Sequence, residues 1–574
     1  MPDFQLTLVF VVILFILVSL YKEILGPSFT FMLAIAVLGI FGVITPAEIL
    51  SGFANEQVAV VIMLLLLGDI IRKTEVIESA FDRLFRSAKS YNGFLSRMML
   101  IVSGFSAFLN NTPLVAVMMP YVHSWCKRND ISPSKFLMPL SFAAILGGCA
   151  TLIGTSTNLI VNGLVVDQDI IPGLPALNIF DFAYVGVPMI VFGFFYLIIF
   201  GNKLLPDKAP FQEEFAENTR QYIVEARIHT HSHLIGKTIE EAGLRQLKGL
   251  YLFELVRKSF RIPAVAPNVI LHQDDILVFA GDTETIAELI HGNSGLSLPE
   301  IGMLSKKKKA EVVEIVISQN SSLVGKTVKE INFRSKYDAA VIAIHRNGER
   351  ITGKLGKVTL KAGDVLLIYT GIDFYSRAGT NDFYFISKVR DFIKLEPYKI
   401  IILFGGTILA ILLSAFHLIS LFMGLIIVIL AALALKITTA KELPKGVDYN
   451  LGLIIVMSLA LGTAMIKSGA ADLLANSMIA VFLPMGRIGL LFGIYLVTAF
   501  LAAYITNKAA VGIIFPIALT MAVNLELNPT PFILTVAYGA AANFMTPIGY
   551  QTNLMVYGPG GYSFKDFFKV GFPL

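Results

Sequence analysis

Long apolar runs dominate this sequence and limit what it can fold into. A membrane-spanning helix needs about 20 largely apolar residues. The runs form two groups that are separated by a polar stretch at 206–393. The first group is 4–22, 27–44, 57–71, 92–124, 134–163 and 181–201. The second group is 397–416, 418–435, 450–466, 471–483, 488–520 and 529–556. This pattern predicts a polytopic α-helical membrane protein in two halves, 1–205 and 394–574.

The composition agrees with a membrane protein and argues against other classes. Only 15% of the 574 residues are charged, against about 25% in soluble chains, and the mean hydropathy is +0.72. Two cysteines, Cys126 and Cys149, are too few for a disulfide framework or a four-cysteine metal site. The net charge of +5 is small, so no nucleic-acid partner is expected. No nucleophile–base pair or metal set of an enzyme is evident, so the protein is not expected to be an enzyme.

The positions of Lys and Arg predict the orientation, because cytoplasmic loops carry an excess of both. The loops at 45–56 and 163–180 contain neither residue. Between them lie Arg72, Lys73, Arg83, Arg86, Lys89, Arg97, Lys127, Arg128 and Lys135. We therefore expect a multi-pass protein of the cell inner (plasma) membrane, with its N-terminus outside and the polar insert in the cytoplasm.

The two halves contain the same motifs in the same order. The sequence Ile-Gly-x-x-Thr-Asn-Leu at 153–159 recurs at 548–554, and Asn111 with Pro120 recurs as Asn507 with Pro516. Five spans per half would invert the second copy. Inverted repeats with broken helices near the membrane midplane are typical of secondary transporters. The first half continues beyond Pro188 as an apolar span, but the second stops just after Pro573, so we expect its last helix to be missing from this sequence.

Polar residues interrupt the apolar runs at four equivalent places, 110–112, 154–158, 506–508 and 549–553. Buried Asn and Thr are costly in a bilayer unless they are paired or wetted. A broken helix exposes backbone N–H groups that suit an anion, whereas unwound carbonyls and Asn oxygens suit Na⁺. We expect two re-entrant hairpins, at about 92–124 and 488–520, to meet two unwound helices around an anion site flanked by cation sites. The alternative is that these polar residues only form hydrogen bonds between neighbouring helices and bind no ligand.

At these residues the chain resembles the divalent anion:sodium symporter family of the ion transporter superfamily. Members carry Ser-Asn-Thr at each hairpin tip, where this chain has Asn110-Asn111-Thr112 and Thr506-Asn507-Lys508. The resemblance implies a sodium-coupled, elevator-type homodimer that carries sulfate or a di- or tricarboxylate. It implies one Na⁺ site with Ser106, Asn111 and Gly154, and a second with Asn507 and Gly549. The implied substrate-binding residues are Asn110, Asn111, Thr112, Thr155, Thr506, Asn507, Lys508 and Thr552. Ala502 stands where the first half has Ser106.

The polar insert is also a repeat. Leu-x-Gly-Lys-Thr at 234–238 recurs at 323–327, and Asp275 recurs as Asp364, both at an offset of 89. A phosphate-binding loop would need a glycine where His231 and Asn320 stand. The insert resembles two tandem TrkA-C (RCK-C) domains, at 217–295 and 309–388. This resemblance implies a cytoplasmic α/β module that regulates transport through a small ligand such as a nucleotide.

Two other functions stay open at this point. A cation/proton antiporter of the same superfamily would need a carboxylate in the membrane, for which Asp69 is the best candidate. Because Asp69 lies about one helical turn from Arg72 and Lys73, we interpret it as an ion-paired residue at the cytoplasmic face. A K⁺ channel would need a Thr-Val-Gly-Tyr-Gly filter, which this sequence lacks.

Overall fold

The computed structural model describes most of the chain, with gaps mainly in the insert. The described residues are 2–22, 24–72, 74, 90–168, 170–208, 223–244, 250–257, 260–263, 265–281, 296–297, 311–319, 321–346, 349–351, 355–370, 374–378, 382–386, 396–416, 418–441, 443 and 449–574. The predicted ion pairing of Asp69 concerns Lys73 and the side chain of Arg72, which lie outside this set.

The first half is helical over most of its described residues. Its helices are α1 (Pro2–Tyr21), α2 (Pro27–Ile40), α3 (Pro46–Ser51), α4 (Glu56–Arg72), α5 (Tyr91–Ser106), α6 (Asn111–Asn129), α7 (Leu137–Gly148), α8 (Ser156–Asp167) and α9 (Ala183–Leu204). Local sequence sets several starts: proline occupies the first turn of α2 and α3, and the Ser90 hydroxyl caps α5.

The insert forms two antiparallel sheets of five strands each with the same strand order. The strands are β1 (Ile223–Ile228), β2 (Leu250–Arg257), β3 (Phe260–Pro263), β4 (Ile276–Gly281), β5 (Leu296–Ser297), β6 (Glu311–Ile317), β7 (Ala339–Arg346), β8 (Glu349–Arg350), β9 (Val365–Thr370) and β10 (Phe383–Phe385). The orders are β3-β2-β4-β1-β5 and, from the opposite edge, β8-β7-β9-β6-β10. Two short helices belong to the second copy, α10 (Phe333–Tyr337) and α11 (Phe374–Arg377).

The second half is again helical. Its helices are α12 (Pro397–Ile400), a π-helical turn (Ile401–Gly405), α13 (Gly406–Ala415), α14 (Leu421–Ala434), α15 (Tyr449–Lys467), α16 (Ala470–Phe482), α17 (Gly486–Tyr504), α18 (Asn507–Asn524), α19 (Pro529–Ala541), α20 (Gln551–Tyr557) and α21 (Phe564–Gly571). Within the described residues, five helical stretches are long and apolar enough to cross a membrane, or up to six if a bent pair near Pro46–Ile71 is one span. The protein is therefore a helical, multi-pass membrane protein.

The helices break at the four places where polar residues interrupt the apolar runs. The breaks are 107–110, 149–155, 505–506 and 542–550. Each wide break is crossed closely by a later helix at a glycine. A Cβ at Gly186 would collide with the carbonyl of Cys149, and one at Gly571 would collide with the carbonyl of Phe544. Any larger residue would push these helices off the broken segments.

The two halves pack on each other through long helices. Helix α15 of the second half packs on α2, and α14 packs on α4. Helix α8 of the first half contacts both α18 and α19, and α20 contacts α7. One continuous hydrophobic core therefore spans both halves, and the broken segments of one half lie against helices of the other.

Loops that carry predicted cytoplasmic charges lie together at one face. Lys208 contacts the carbonyl of Gly561 and forms an ion pair with Asp566, while the Tyr562 hydroxyl donates to the Ser134 carbonyl at 2.6 Å. The two loops without Lys or Arg, 45–56 and 163–180, contact each other through a hydrogen bond from Asn55 Nδ2 to the Gly163 carbonyl. This grouping agrees with the loops that the charge pattern assigns to a common side.

The second sheet of the insert lies against the membrane half. A Cβ at Gly363 would lie 2.7 Å from Leu554 Cδ1, and one at Gly558 would collide with Val365. Val316 and Ile386 belong to the same buried core as the membrane helices. The second copy therefore contacts α20, the short helix that follows the 542–550 break.

The two copies of the insert also contact each other. The Tyr369 hydroxyl donates to Glu254 Oε2 at 2.8 Å, and Arg334 donates to the carbonyls of Val265 and Leu252. Each copy contains the same buried ion pair. Arg257 donates two hydrogen bonds to Asp275, both at 2.8 Å, and Arg346 donates two to Asp364, both at 2.7 Å.

Candidate functional site

A capped helix, α6, begins at the first hairpin tip. Asn110 precedes α6, and its Oδ1 accepts from the backbone N–H of Thr112 at 3.3 Å. This bond satisfies one of the N–H groups that a helix start leaves without an intrahelical partner. The Thr112 hydroxyl donates to Gln551 Oε1 of the second half at 3.0 Å. The tip of one half therefore touches the first residue of α20.

Asn111 is the centre of a buried polar cluster. One terminal atom of its amide lies 2.6 Å from Ser106 Oγ, 3.1 Å from the Gly154 carbonyl and 3.3 Å from the Ala144 carbonyl. The Ser106 hydroxyl also donates to the Ala144 carbonyl at 2.7 Å. The hydrogen-bond network assigns the NH₂ group to this terminal position, because three oxygens face it. The predicted grouping of Ser106, Asn111 and Gly154 is therefore present in space.

Tyr550 joins this cluster from the other half. Its hydroxyl donates to the second terminal atom of Asn111, the oxygen, at 2.6 Å, and lies 3.0 Å from Thr155 Oγ1. Tyr550 is buried, so these contacts satisfy a phenol that water does not reach. The Tyr550 hydroxyl therefore links Asn111 to Thr155, which is predicted to bind substrate.

The two broken segments are braced by the same contacts. In the first half, the Gly154 N–H donates to Thr151 Oγ1 at 3.2 Å, and Asn158 Nδ2 donates to the carbonyls of Thr151 and Gly148. Thr151 itself donates to the Ala107 carbonyl.

In the second half, the Gly549 N–H donates to Thr546 Oγ1 at 3.2 Å, and Asn553 Nδ2 donates to the carbonyls of Thr546 and Asn543. Thr546 Oγ1 lies 3.4 Å from the Ala503 carbonyl. The Thr and Asn side chains therefore bind the backbone groups that the unwound turns leave without helical partners.

The second hairpin tip differs from the first. The Thr506 hydroxyl caps α18 by accepting from the Ala509 N–H at 3.2 Å. Asn507 Oδ1 is buried and has no hydrogen-bond partner among the described residues. Lys508 is the second residue of α18 and is half-buried. The structure thus places Thr506, Asn507 and Lys508 at one helix start, with Asn507 facing inward.

Thr552, also predicted to bind substrate, has a different environment. It is fully buried, and the Ser141 hydroxyl lies 2.8 Å from its Oγ1 and 2.7 Å from Asn553 Oδ1. At the offset of 395 that relates Gly154 to Gly549, the counterpart of Thr155 is Tyr550, and that of Thr552 is Thr157. The structure therefore brings Tyr550, not Thr552, into contact with Thr155.

Sequence reasoning missed Tyr550, Gln551 and the Ala144 carbonyl. A signal for the first two was present: the motifs of the two halves differ where Thr155-Ser156 becomes Tyr550-Gln551. A difference in sequence inside an otherwise matched motif indicates a position where the side chains of the two halves make different contacts. The Ala144 carbonyl carries no signal in a side-chain pattern.

Comparison with known proteins agrees with a transporter. The family model described as citrate transporter (CitMHS) matches residues 10–420 and 408–574, which together cover nearly the whole chain. The chain belongs to the citrate transporter (CitMHS) family. This result confirms the resemblance to a divalent anion:sodium symporter and the expectation that the protein is a transporter rather than an enzyme.

Several relatives of this CitMHS-family protein span almost its whole length. A putative sulfur deprivation response regulator of Chlamydomonas reinhardtii is 34% identical over 93% of this chain and 93% of its own. An uncharacterized transporter of Synechocystis sp. is 32% identical over 100% of this chain and 95% of its own. Sodium/sulfate cotransporter 1 of Chlamydomonas reinhardtii is 24% identical over 96% of this chain and 86% of its own. The similarity therefore includes the insert region as well as both membrane halves.

Proposed function

We propose that this protein is a sodium-coupled secondary carrier of a divalent anion, either sulfate or a di- or tricarboxylate. The observation that carries the proposal is the contact of Asn111 with Tyr550, at a point where both halves have broken helices. The names of the sodium/sulfate cotransporters among its relatives favour sulfate, and the family's name favours citrate.

The first cation site consists of Ser106, Asn111 and Gly154, together with the Ala144 carbonyl. Three oxygens surround one terminal atom of the Asn111 amide at 2.6–3.3 Å. Na⁺ binds such sets of hydroxyl, amide and unwound-backbone oxygens. In this structure the Asn111 NH₂ group donates to these oxygens; on ion binding the amide would turn by 180° and present its oxygen to the ion as a fourth ligand. The residues present therefore fit the ion that the resemblance implies.

The anion site lies between the two hairpin tips. Helices α6 and α18 begin there, and their first N–H groups and positive dipole ends favour a negative ligand. The side chains at the tips are Asn110, Thr112, Thr506 and Lys508, and Thr155 lies against Asn111 through Tyr550. Asn111 and Asn507 each have an amide that serves both an anion and a cation. Thr552 contributes through its buried bond to Ser141, which holds the start of α20.

The test is uptake into proteoliposomes that contain the full-length protein. Radiolabelled sulfate, succinate and citrate are compared with an inward Na⁺ gradient, with a proton gradient of the same size, and with neither. We expect one anion to accumulate with Na⁺ and to exchange only slowly without it. Anion uptake that follows the proton gradient and ignores Na⁺ would contradict sodium coupling. Na⁺ efflux driven by protons in the absence of any anion would support the antiporter alternative.

Regulation by the insert is the second part of the proposal. The insert is assigned as two TrkA-C domains, at 217–295 and 309–388, that bind a small cytoplasmic ligand such as a nucleotide. Gly363 and Val365 of the second copy touch Leu554 of α20 and Gly558, the residue that follows this helix. Because α20 begins at Gln551, next to the first tip, a shift of the second copy acts directly on the proposed transport site. An allosteric coupling of about 1–3 kcal/mol is typical.

Replacement of residues 217–388 by a short linker tests this part. We expect transport to persist at an altered rate that no longer responds to added nucleotides. The matched variant Leu554→Ala keeps the insert and weakens only its contact with α20, so it should reproduce part of the effect. Transport that is unchanged in both variants would leave the insert as a scaffold.

The remaining assignments follow from the same resemblance and orientation. We infer an elevator-type homodimer in the plasma membrane, with membrane repeats at 1–205 and 394–574, the insert inside and the N-terminus outside. Cysteine labelling tests the sidedness, since residues near Asp3 should react with an impermeant reagent in intact cells and residues near Lys237 should not. Cross-linking in membranes tests the dimer.

A further inference from the structure

A buried carboxyl group lies where the second insert sheet meets the membrane helices. Residues along a strand such as β6 alternate between the two faces of the sheet. The residues of β6 that face the core of the second copy are Val313, Ile315 and Ile317. Val316, on the other face, belongs to the core of the membrane helices. Glu314 is on the same face as Val316 and is 2% exposed, so its side chain lies inside the contact with the membrane half.

The strands beside β6 place apolar residues around this carboxyl group. Leu367 of β9 pairs with Glu314, and the N–H of Ile386, just after β10, donates to the Glu314 carbonyl at 3.0 Å. Val365 of β9 lies opposite Val316, and both Val365 and Ile386 are buried among the membrane helices. An ionised carboxylate in these surroundings loses most of its hydration, whereas a protonated carboxyl loses much less.

The charged and titratable side chains near Glu314 in the described chain come from the elements packed on this face. Lys127, near the end of α6, is the residue whose positive charge favours the ionised form of Glu314. His123 lies one helical turn before Lys127 and is also buried. The others are Tyr557 of α20, Tyr384 of β10, Tyr369 of β9 and its partner Glu254 in the first copy. Burial outweighs the effect of the lysine and raises the pKa of Glu314 to about 7.

This contact reaches both helices that begin at the first hairpin tip and at the broken segment beside it. Strand β10 packs against α6, and α6 begins at Asn111. Gly363 lies against Leu554 of α20, and α20 begins at Gln551, which bonds to Thr112 of α6. The docked second copy therefore restrains two helices that start at the proposed transport site.

We propose that the contact of the second insert copy with α6 and α20 is a proton-dependent latch, which protonated Glu314 keeps docked and ionised Glu314 loosens. The effect on transport rests on the proposed function, and the latch adds the proton as a signal that the insert reads. Loosening frees α6 and α20, so transport becomes faster as the pH rises.

The direction of the pH effect follows from linkage. When the second copy leaves the membrane half, Glu314 returns to water and to its ordinary pKa of 4.5. The docked state holds the proton more tightly, so docking is strongest below pH 4.5 and weakens as the pH rises to about 7. Between pH 5 and pH 8 the docking equilibrium should shift roughly 70-fold toward the undocked state.

The experiment measures docking in the full-length protein in lipid nanodiscs, as the distance between two spin labels. The labels are attached to Lys361→Cys on the second copy and Lys569→Cys on α21, both at exposed positions. The native Cys126 and Cys149 are buried and remain unlabelled. The second readout is radiolabelled sulfate uptake by proteoliposomes with the same pH on both sides, because sulfate keeps its charge in this pH range.

Three variants are compared with the wild type. Glu314→Gln is neutral at every pH. Lys127→Gln removes the charge that favours the ionised carboxylate in the docked state. Glu330→Gln is the matched control, because it removes an exposed carboxyl group of the same copy.

We expect one narrow label distance in the wild type at pH 5 and an additional longer distance at pH 8. Glu314→Gln should keep the narrow distance at both pH values, and Glu330→Gln should behave as the wild type. Lys127→Gln should show more of the longer distance at pH 8, which tests the latch even if Glu314→Gln does not fold. Sulfate uptake should rise at least roughly fivefold from pH 5 to pH 8 in the wild type, the lower end of usual allosteric couplings, and should stay at the pH 5 rate in Glu314→Gln.

Two results would overturn the latch. One is a wild-type label distance that is the same at pH 5 and pH 8, and the other is a change of distance that persists in Glu314→Gln. Uptake with the same pH response in the wild type and Glu314→Gln would overturn its control of transport. A wild type that carries no tested anion would instead overturn the proposed function, while the label distances would still decide whether the latch exists.

Discussion

The hydroxyl of Tyr550 lies 2.6 Å from the amide of Asn111, although the two residues are 439 positions apart in the chain. The same hydroxyl lies 3.0 Å from Thr155 Oγ1. The tip of the first hairpin and the broken helix of the second half therefore share one hydrogen-bond network. A change in either half is felt at the same polar centre.

Removal of the Tyr550 hydroxyl should weaken transport without unfolding the protein. Tyr550→Phe leaves the buried groups of Asn111 and Thr155 without this partner, at a cost of about 1–3 kcal/mol. We expect a loss of roughly tenfold in initial uptake rate at fixed Na⁺, since about 1.4 kcal/mol corresponds to tenfold. The matched control is Tyr538→Phe, whose hydroxyl donates to the Phe182 carbonyl away from the tips. Equal losses in both variants would indicate a general packing effect.

The two tip asparagines should be indispensable for transport. Asn111→Ala removes the amide that contacts Ser106, Gly154 and Tyr550, and Asn507→Ala removes the counterpart in the second half. We expect uptake at background level in each variant, with the protein still folded by size-exclusion chromatography. Asn162→Ala, which removes a buried amide that accepts from the Leu177 N–H, should keep most of the activity. Normal uptake by a folded Asn111→Ala, Asn507→Ala double variant would end the site assignment.

Lys508 should act as a fixed positive charge for the anion. It occupies the first turn of α18, where the other tip has Thr112. We expect Lys508→Thr to raise the anion KM roughly tenfold at every Na⁺ concentration, in line with a charge-assisted bond of about 1.5–3 kcal/mol. Lys508→Arg should have a smaller effect, and Lys569→Thr, at an exposed position, should have none. Identical KM curves for wild type and Lys508→Thr would show that the ammonium faces away from the anion.

The paired ions of the insert should contribute equally to its stability. Asp275 and Asp364 are fully or almost fully buried, and each accepts two bonds from an arginine. These bonds raise the pKa of Arg257 and Arg346. Breaking a buried pair from one side costs about 3–5 kcal/mol. We expect Asp275→Ala and Asp364→Ala to increase hydrogen exchange in β4 and β9 respectively. Asp274→Ala, which breaks an exposed pair with Arg227, should change exchange little.

Glu314 should make the stability of the second insert copy depend on pH. Burial raises the pKa of this carboxyl to about 7. A raised pKa means that the folded state holds the proton more tightly, so stability is greatest below the ordinary pKa of 4.5 and falls as pH rises to about 7. The full change is about 3 kcal/mol.

Glu314→Gln is neutral at every pH and should flatten the melting temperature between pH 5 and pH 8, as roughly expected from linkage. The contrasting variant is Glu330→Gln. A backbone hydrogen bond from the Thr327 N–H lowers the pKa of Glu330. Above the ordinary titration range of a glutamate, the stability of Glu330→Gln should therefore differ from that of the wild type by a constant amount, with the same pH dependence. A wild-type melting-temperature curve that is already flat between pH 5 and pH 8 would contradict the assignment for Glu314, because roughly one carboxyl group should titrate in that range.

Much of the fold could be predicted because its signals are local. Long apolar runs mark helices wherever they stand, and Asn110-Asn111 or Thr506-Asn507 breaks a helix through its own caps. The contacts of Ser106 with Asn111 span only five residues, so motif spacing was enough to group them. The two insert copies follow from an offset of 89 that keeps Asp275 and Asp364 in register.

The sequence by itself determined which stretches form apolar helices, where those helices break and which motifs repeat, because hydropathy, capping and glycine breaks act over a few neighbouring residues. Only the tertiary structure decided that Tyr550 reaches Asn111, that Thr552 bonds to Ser141, and that the second insert copy touches α20. Those contacts depend on how two halves of the protein, separated by hundreds of residues in the chain, pack on each other.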